Sequence, residues 1–134
     1  LTQYWVRRIK QDVFGDITPY GGYNGDEDQG QMGALGVLMA IGLFDVQGGA
    51  SVEPRYEITS PVFDKITIQL DNRYYPGKEF VIAVKNNSKE NVYIQSVCLN
   101  GQALNSFHFP HSELVKGGLL EIELGPEPNK NWGN

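Results

Sequence analysis

Cysteine is nearly missing from the 134 residues: Cys98 stands alone, so no internal disulfide forms and the fold must hold without one. Positive charge is sparse as well. Eleven Lys and Arg against sixteen Asp and Glu give a formal net charge of -5, and the basic residues are scattered, which removes the electrostatic footprint a phosphate backbone requires. Nucleic acid is therefore not an expected partner. No apolar run approaches the roughly 20 residues of a membrane-spanning helix, so membrane insertion is not expected either. What the chain does have is 40% hydrophobic residues, enough to bury the core of one ordinary domain.

The apolar residues change period along the chain. Leu1, Trp5, Ile9 and Val13 follow one another at i,i+4 steps, with Arg7, Arg8, Lys10 and Gln11 on the other side, which predicts an amphipathic helix over residues 1–14 stopped by Gly15. Pro19 and the glycines of "GDITPYGGYNG" then predict a long loop. From about Asp26 to Leu43 the sequence is apolar nearly all round, with Met32, Leu35, Met39 and Leu43 on one stripe, so a second helix buried on most sides is expected. Its Gly30, Gly33, Gly36 and Gly42 are best explained by close approach of neighbouring helices.

Beyond residue 52 strict alternation takes over: Tyr56 and Ile58; Ile66, Ile68 and Leu70; Phe80, Ile82 and Val84; Val92 and Ile94; Leu120, Ile122 and Leu124. Turn signals at "DNRYYPGK", "NNSKEN", "LNGQ" and "VKGG" separate these strands as in an antiparallel sandwich. "PHSELVKGG" is read as one helical turn with Ser112 as cap and Gly117 as stop. The expected fold class is α+β, divided into helical residues 1–52 and strand-rich residues 53–134.

The stretch "GYNGDEDQGQM" carries three consecutive carboxylates, Asp26, Glu27 and Asp28, where the loop meets the second helix. Counted from Asn24, an EF-hand would want Gly and Glu where Gln29 and Leu35 stand, so that reading fails, although an irregular calcium contact stays open. Asp26 or Asp28 as a helix cap is the simplest structural reading. A carboxylate at a helix N-terminus is held ionised, which suits a base or a metal ligand and disfavours a general acid. In an extended segment Asp26 and Asp28 point the same way and Glu27 the opposite way.

Other constellations are weaker. His108 and His111 are separated by Pro110, which breaks the helix that would align them on a metal. Cys98 with His111 lacks nucleophile context. Asn86 heads a glycosylation sequon in form, and Trp5, Tyr20, Tyr23, Tyr74 and Tyr75 are of a type that stacks on sugar rings, although aromatics more commonly serve to bury apolar surface.

The blocks "YGGYNGDEDQGQMGALGVLMAIGLFDV", "YEITSPVFDKITIQL", "KNNSKENVYIQSVCLNG", "HSELVKGGLLEIELGP" and "PNKNWG", in this order, resemble the C-terminal part of glycoside hydrolase family 92 over essentially the whole chain. The resemblance implies an exo-acting, inverting, calcium-dependent bacterial α-mannosidase that is periplasmic, cell-surface or secreted and acts on α-mannoside glycans. It further implies that the two helices are the last of an (α/α)6 barrel and that the strand region closes the chain. By resemblance, Asp26 and Asp28 activate the attacking water, with Asp28 favoured as the base. The family's general acid is a Glu well upstream with no matching position here, and its calcium ligands lie largely upstream too.

Many members read Ser-Ala-Trp where this chain has Gly33, Ala34 and Leu35, and Tyr-Pro-Val where it has Phe44, Asp45 and Val46, so the preferred linkage is left open. The chain is accordingly expected to be a fragment, inactive alone, that either self-associates through the exposed faces of its helices or packs those helices on its own sheet. A sugar-binding module and a purely structural buttress are the competing classes.

Overall fold

The computed structural model describes residues 1–16, 18 and 30–133. Two helices, α1 (Thr2–Asp12) and α2 (Gln31–Ile41), precede the strands β1 (Leu43–Phe44), β2 (Arg55–Ile58), β3 (Lys65–Gln69), β4 (Glu79–Lys85), β5 (Tyr93–Leu99), β6 (Gln102–Ala103) and β7 (His108–Pro110). A short helix α3 (His111–Val115) and the long strand β8 (Gly118–Gly125) follow. The α+β class stands, and all five alternating segments read from the sequence are strands or run directly into one.

Five strands form one sheet in the order β3-β4-β8-β5-β6, and three form a second in the order β1-β2-β7. The pairings are antiparallel with one exception: β4 and β8 run parallel, from Phe80 opposite Gly118 to Lys85 opposite Glu123. A parallel pair needs a crossover, and here residues 86–117 provide it. Alternation alone does not specify direction, which is why the sequence did not reveal this pairing. At the β5–β6 hairpin, Asn100 (φ 51°) and Gly101 (φ 79°) take the two left-handed positions that a tight Asn-Gly turn demands.

The buried residues are those with period two. Phe80, Ile82, Leu120 and Ile122 are fully buried and Val84 and Leu124 nearly so, all on the central parallel pair. The second sheet closes over them through Phe109, whose ring lies 5.7 Å from that of Phe80 with planes 16° apart. Burying such large side chains contributes roughly 1.5–3 kcal/mol each, so this inter-sheet layer dominates the stability of the fold.

The helices leave apolar surface exposed, as expected of a fragment, but the residue that docks α1 comes from the side read as polar. Helix α1 docks by its polar side: Arg7 is 4% exposed, while Trp5 and Leu1 on the apolar stripe are 54% and 93% exposed. Three acceptors explain the inversion. The Arg7 guanidinium donates to Pro61 O, to Asn87 Oδ1 (3.0 Å) and to Ser88 O (2.7 Å), and one turn earlier Gln3 Oε1 accepts from Ile94 N at 2.8 Å. The strand region thus offers α1 a hydrogen-bonding surface, and Leu1 and Trp5 of the apolar stripe are left exposed while Ile9 and Val13 are half-buried.

Helix α2 is not buried on most sides either: within it only Gly36 and Ala40 are buried, and Val37 is 61% exposed. The glycines divide: Gly36 meets the end of the first helical segment, as expected, and Gly42 meets a proline of the strand region instead. At Gly36 an added Cβ would sit 3.5 Å from the Phe14 ring, and Gly42 (φ 76°) ends the helix in the left-handed conformation with Pro61 so near that a Cβ would lie 2.6 Å from it. Gly42 O accepts from Thr59 N (2.8 Å) and Ala40 O from Val62 N (3.0 Å), which ties the helix end to the β2–β3 connection. In α3 the cap position is held by Pro110, not Ser112, while Gly117 (φ 80°) does provide the stop.

Candidate functional site

Asp26, Glu27 and Asp28 lie outside the described residues, as do Tyr20, Tyr23 and Gln29. The ends of the segment that carries them are well defined. On the α1 side, Phe14 O accepts from Lys10 Nζ at 2.8 Å, and Asp16 accepts from both Thr18 N and Thr18 Oγ1 at 2.8 Å. On the α2 side, Gly30 (φ 82°) is the N-cap residue and contributes no side-chain cap to the first-turn N–H groups. The strict cap position is thus Gly30, two residues after Asp28, and not either aspartate.

Both flanking helices are fixed to the same stretch of chain. Arg7 reaches Pro61 O from α1, and the Val62 and Thr59 amides reach Ala40 O and Gly42 O of α2. Asn87, which accepts from Arg7, also donates from Nδ2 to Val62 O at 3.2 Å. Residues 59–62 and the 86–91 turn therefore link α1 to the C-terminal end of α2.

The remaining candidate groups serve local structure. His111 Nδ1 lies 3.0 Å from Tyr56 Oη, with the Tyr75 ring edge-on to it, whereas His108 packs edge-on against Phe107. The two histidines do not converge. Cys98 sits free in β5. Burial, with the Asp45 charge and Tyr75 adding to it, pushes the Tyr56 hydroxyl above its ordinary range. Tyr74 is exposed and carries the Arg73 guanidinium 5.7 Å from its ring centre.

Five of the described carboxylates are engaged in ion pairs: Asp12 with Arg8, Glu57 with Arg55, Asp71 with Arg73, Glu113 with Lys116 and Glu121 with Lys85. Hydrogen bonds from Arg73 hold the Asp71 carboxyl below the usual carboxylate range, the opposite of what a general acid needs. Among the described residues no three His, Cys, Asp or Glu side chains are grouped to hold a metal ion.

A cavity of about 470 Å³ opens between α1, α2 and the smaller sheet, lined by Val6, Leu35, Met39, Phe44, Phe107 and Trp132 among others. Its one carboxylate, Glu57, is occupied by Val46 N (3.1 Å) and Arg55. Such a lining favours apolar contact over hydrolysis. No described helix is long and apolar enough to cross a membrane.

Two structural features escaped the sequence reading. Arg7 was placed on the polar side of α1 with Arg8, Lys10 and Gln11, and only its lack of a nearby i,i+4 carboxylate set it apart. Pro61, fully buried where α2 ends, carried no periodic signal.

Comparison with known proteins gives these features a context. Residues 1–126 match the glycosyl hydrolase family 92 catalytic domain. An uncharacterized secreted glycosidase from Arthroderma benhamiae is 35% identical over 124 residues, which are 90% of this chain and 14% of that protein. A family GH92 inverting mannosidase from Bacteroides thetaiotaomicron superposes with a TM-score of 0.84 at 36% identity, over 98% of this chain and 17% of its own. A second α-mannosidase of the same family and organism, in complex with mannoimidazole, gives 0.85 at 27% identity over 98% of this chain and 16% of its own. The chain thus spans about one sixth of the length of these relatives, and its residues and their fold agree on one assignment: it belongs to glycosyl hydrolase family 92.

Proposed function

We propose that this chain is the C-terminal part of a calcium-dependent, inverting exo-α-mannosidase that removes α-linked mannose from glycans, and that it supplies the general base of the site. One observation carries the reading: the match to the family's catalytic domain runs across residues 1–126, so it includes the acidic segment and both helices that hold its ends. The structural relatives named as mannosidases, one of them bound to mannoimidazole, support mannose as the sugar.

On this reading Asp28 takes a proton from the attacking water while Asp26 helps to hold that water. The water adds to the anomeric carbon from the face opposite the departing oxygen, which inverts the configuration. Inversion requires about 6.5–9.5 Å between the two carboxyl groups so that water fits beneath the sugar. The acid that protonates the departing oxygen is then a Glu from outside this chain. Residues 1–52 contribute the last barrel helices and the acidic loop, and residues 53–134 the strand region that braces them. Calcium, held by ligands outside the described residues, would bind sugar hydroxyls. A periplasmic, cell-surface or secreted location follows the relative named as secreted.

The test uses the longer polypeptide beside the isolated 134 residues. With an aryl α-mannoside and calcium, the longer protein turns over and proton NMR shows β-mannose as the first-formed anomer, chelation stops the reaction, and the isolated chain is inactive. Robust turnover by the 134 residues, or α-mannose appearing first, contradicts the reading.

A further inference from the structure

The cavity between α1, α2 and the smaller sheet has the size of a binding site without the chemistry of a sugar site. Its volume of about 470 Å³ lies in the range of ligand pockets, which combine an apolar lining with a few polar groups free to orient a ligand. Here the polar groups that could do so are engaged. Glu57 accepts from Val46 N and pairs with Arg55, Gln3 Oε1 accepts from Ile94 N, and Trp132 donates from Nε1 to Leu104 O at 2.8 Å. A hydroxyl-rich sugar finds little to hold it, whereas apolar side chains find Val6, Leu35, Met39 and Phe107.

The cavity also opens outward. Leu43 and Ile58 connect it to the core, but at its rim Phe44, Val46 and Phe107 are 37%, 72% and 41% exposed. A contiguous apolar patch of this kind marks a contact surface. The helices meet the strand region through hydrogen bonds at Gln3, Arg7, Ala40 and Gly42, and the apolar gap lies beside those attachments.

The relatives indicate what fills the gap. Two family members superpose on 98% of this chain, helices and strands together, with TM-scores of 0.84 and 0.85, so the arrangement that frames the cavity is also present in much longer proteins. The matched region is only 17% and 16% of those chains, which leaves most of such a polypeptide available to cover it. A covalently linked segment acts at an effective concentration of about millimolar, far above that of a second molecule in dilute solution. We propose that the cavity is an intramolecular docking site, which receives uncharged, apolar side chains from a segment of the same polypeptide outside residues 1–134 and so wedges the helices against the smaller sheet. This rests on the reading of the chain as part of a longer mannosidase, but not on the base assignment.

The experiment introduces a photoreactive diazirine amino acid at Met39 and, separately, at Phe107 of the longer polypeptide, and maps the crosslinked peptides by mass spectrometry. Both positions are expected to crosslink, in a monomer-sized product, to apolar residues outside 1–134, and unfolding in urea should abolish those crosslinks. If the Met39 variant is unfolded, the Phe107 variant decides, because that side chain is already partly exposed. Val46→Lys, which places a charge at the rim, should lower the Phe107 crosslink yield about fivefold or more. An unchanged yield overturns the apolar occupant. Crosslinks confined to residues 1–134, or capture of water alone, overturn the docking site. A dimer-sized product that grows with protein concentration overturns it in favour of a second copy. Activity of Asp28→Asn is measured alongside: full activity with the crosslinks intact overturns the base assignment alone, and lost activity without the crosslinks overturns the docking site alone.

Discussion

Arg7 Nη2 and Ser88 O are 81 residues apart in the chain and 2.7 Å apart in space. This contact, with its companions at Pro61 and Asn87, makes the first helix dock by a charged residue rather than by its apolar stripe. Arg7→Ala in the 134-residue chain leaves three acceptors unsatisfied, each a hydrogen bond to a charged donor. A loss of about 2–4 kcal/mol is expected in urea unfolding, with a lower slope if α1 detaches first. A change under about 0.5 kcal/mol, the range of an ordinary surface substitution, would show that α1 is not held by Arg7.

Gly42 is held by two constraints at once, a left-handed backbone and the Pro61 ring. Gly42→Ala should destabilise by about 1–3 kcal/mol. Gly48 is also left-handed, at φ 60°, but has open space around its Cα. Gly48→Ala therefore isolates the backbone effect, at about 1 kcal/mol. Equal losses at both positions would mean that the Pro61 contact is relieved by local movement.

Tyr56 gives a pH signature. Its hydroxyl is raised above its ordinary value by burial first, then by Asp45 and Tyr75. In the unfolded chain tyrosine ionises near pH 10, while the folded chain still holds the proton. The stabilisation is thus intact below about pH 10 and lost as pH rises through the folded value. Thermal melts from pH 9 to 11 should fall more steeply for the wild type than for Tyr56→Phe, which also loses the His111 hydrogen bond and starts lower. Parallel curves would remove Tyr56 as the source.

The exposed stripe of α1 and Val37 of α2 predict self-association of the isolated chain. Sedimentation should show concentration-dependent oligomers, and Trp5→Lys with Val37→Lys should weaken them by about tenfold or more. A wild-type chain that stays monomeric at high concentration would mean these faces are covered intramolecularly.

The strands were legible because one face of each is more deeply buried: Ile82 and Leu120 alternate with less buried neighbours, and period two follows from that asymmetry. The parallel partnership of β4 and β8 was not legible, since both strand directions produce the same alternation. Helix α1 was legible as a helix with apolar residues left exposed, but its docking contact was not: nothing in amphipathicity singles out Arg7 from Arg8 and Lys10, and the oxygens it meets lie far along the chain. The acidic segment stood out through charge density and flanking glycines. Its assignment as a base came from resemblance, because spacing alone suits a cap or a metal contact as well.

The central claim is that Asp28, aided by Asp26, activates water. The most direct measurement is kcat of the longer polypeptide carrying Asp28→Asn and, separately, Asp26→Asn, on an aryl α-mannoside with calcium present and folding verified. Loss of a general base should lower kcat by about 10²–10⁴-fold for Asp28→Asn, with a smaller loss for Asp26→Asn and KM little changed in both. Undiminished turnover by Asp28→Asn would contradict the account.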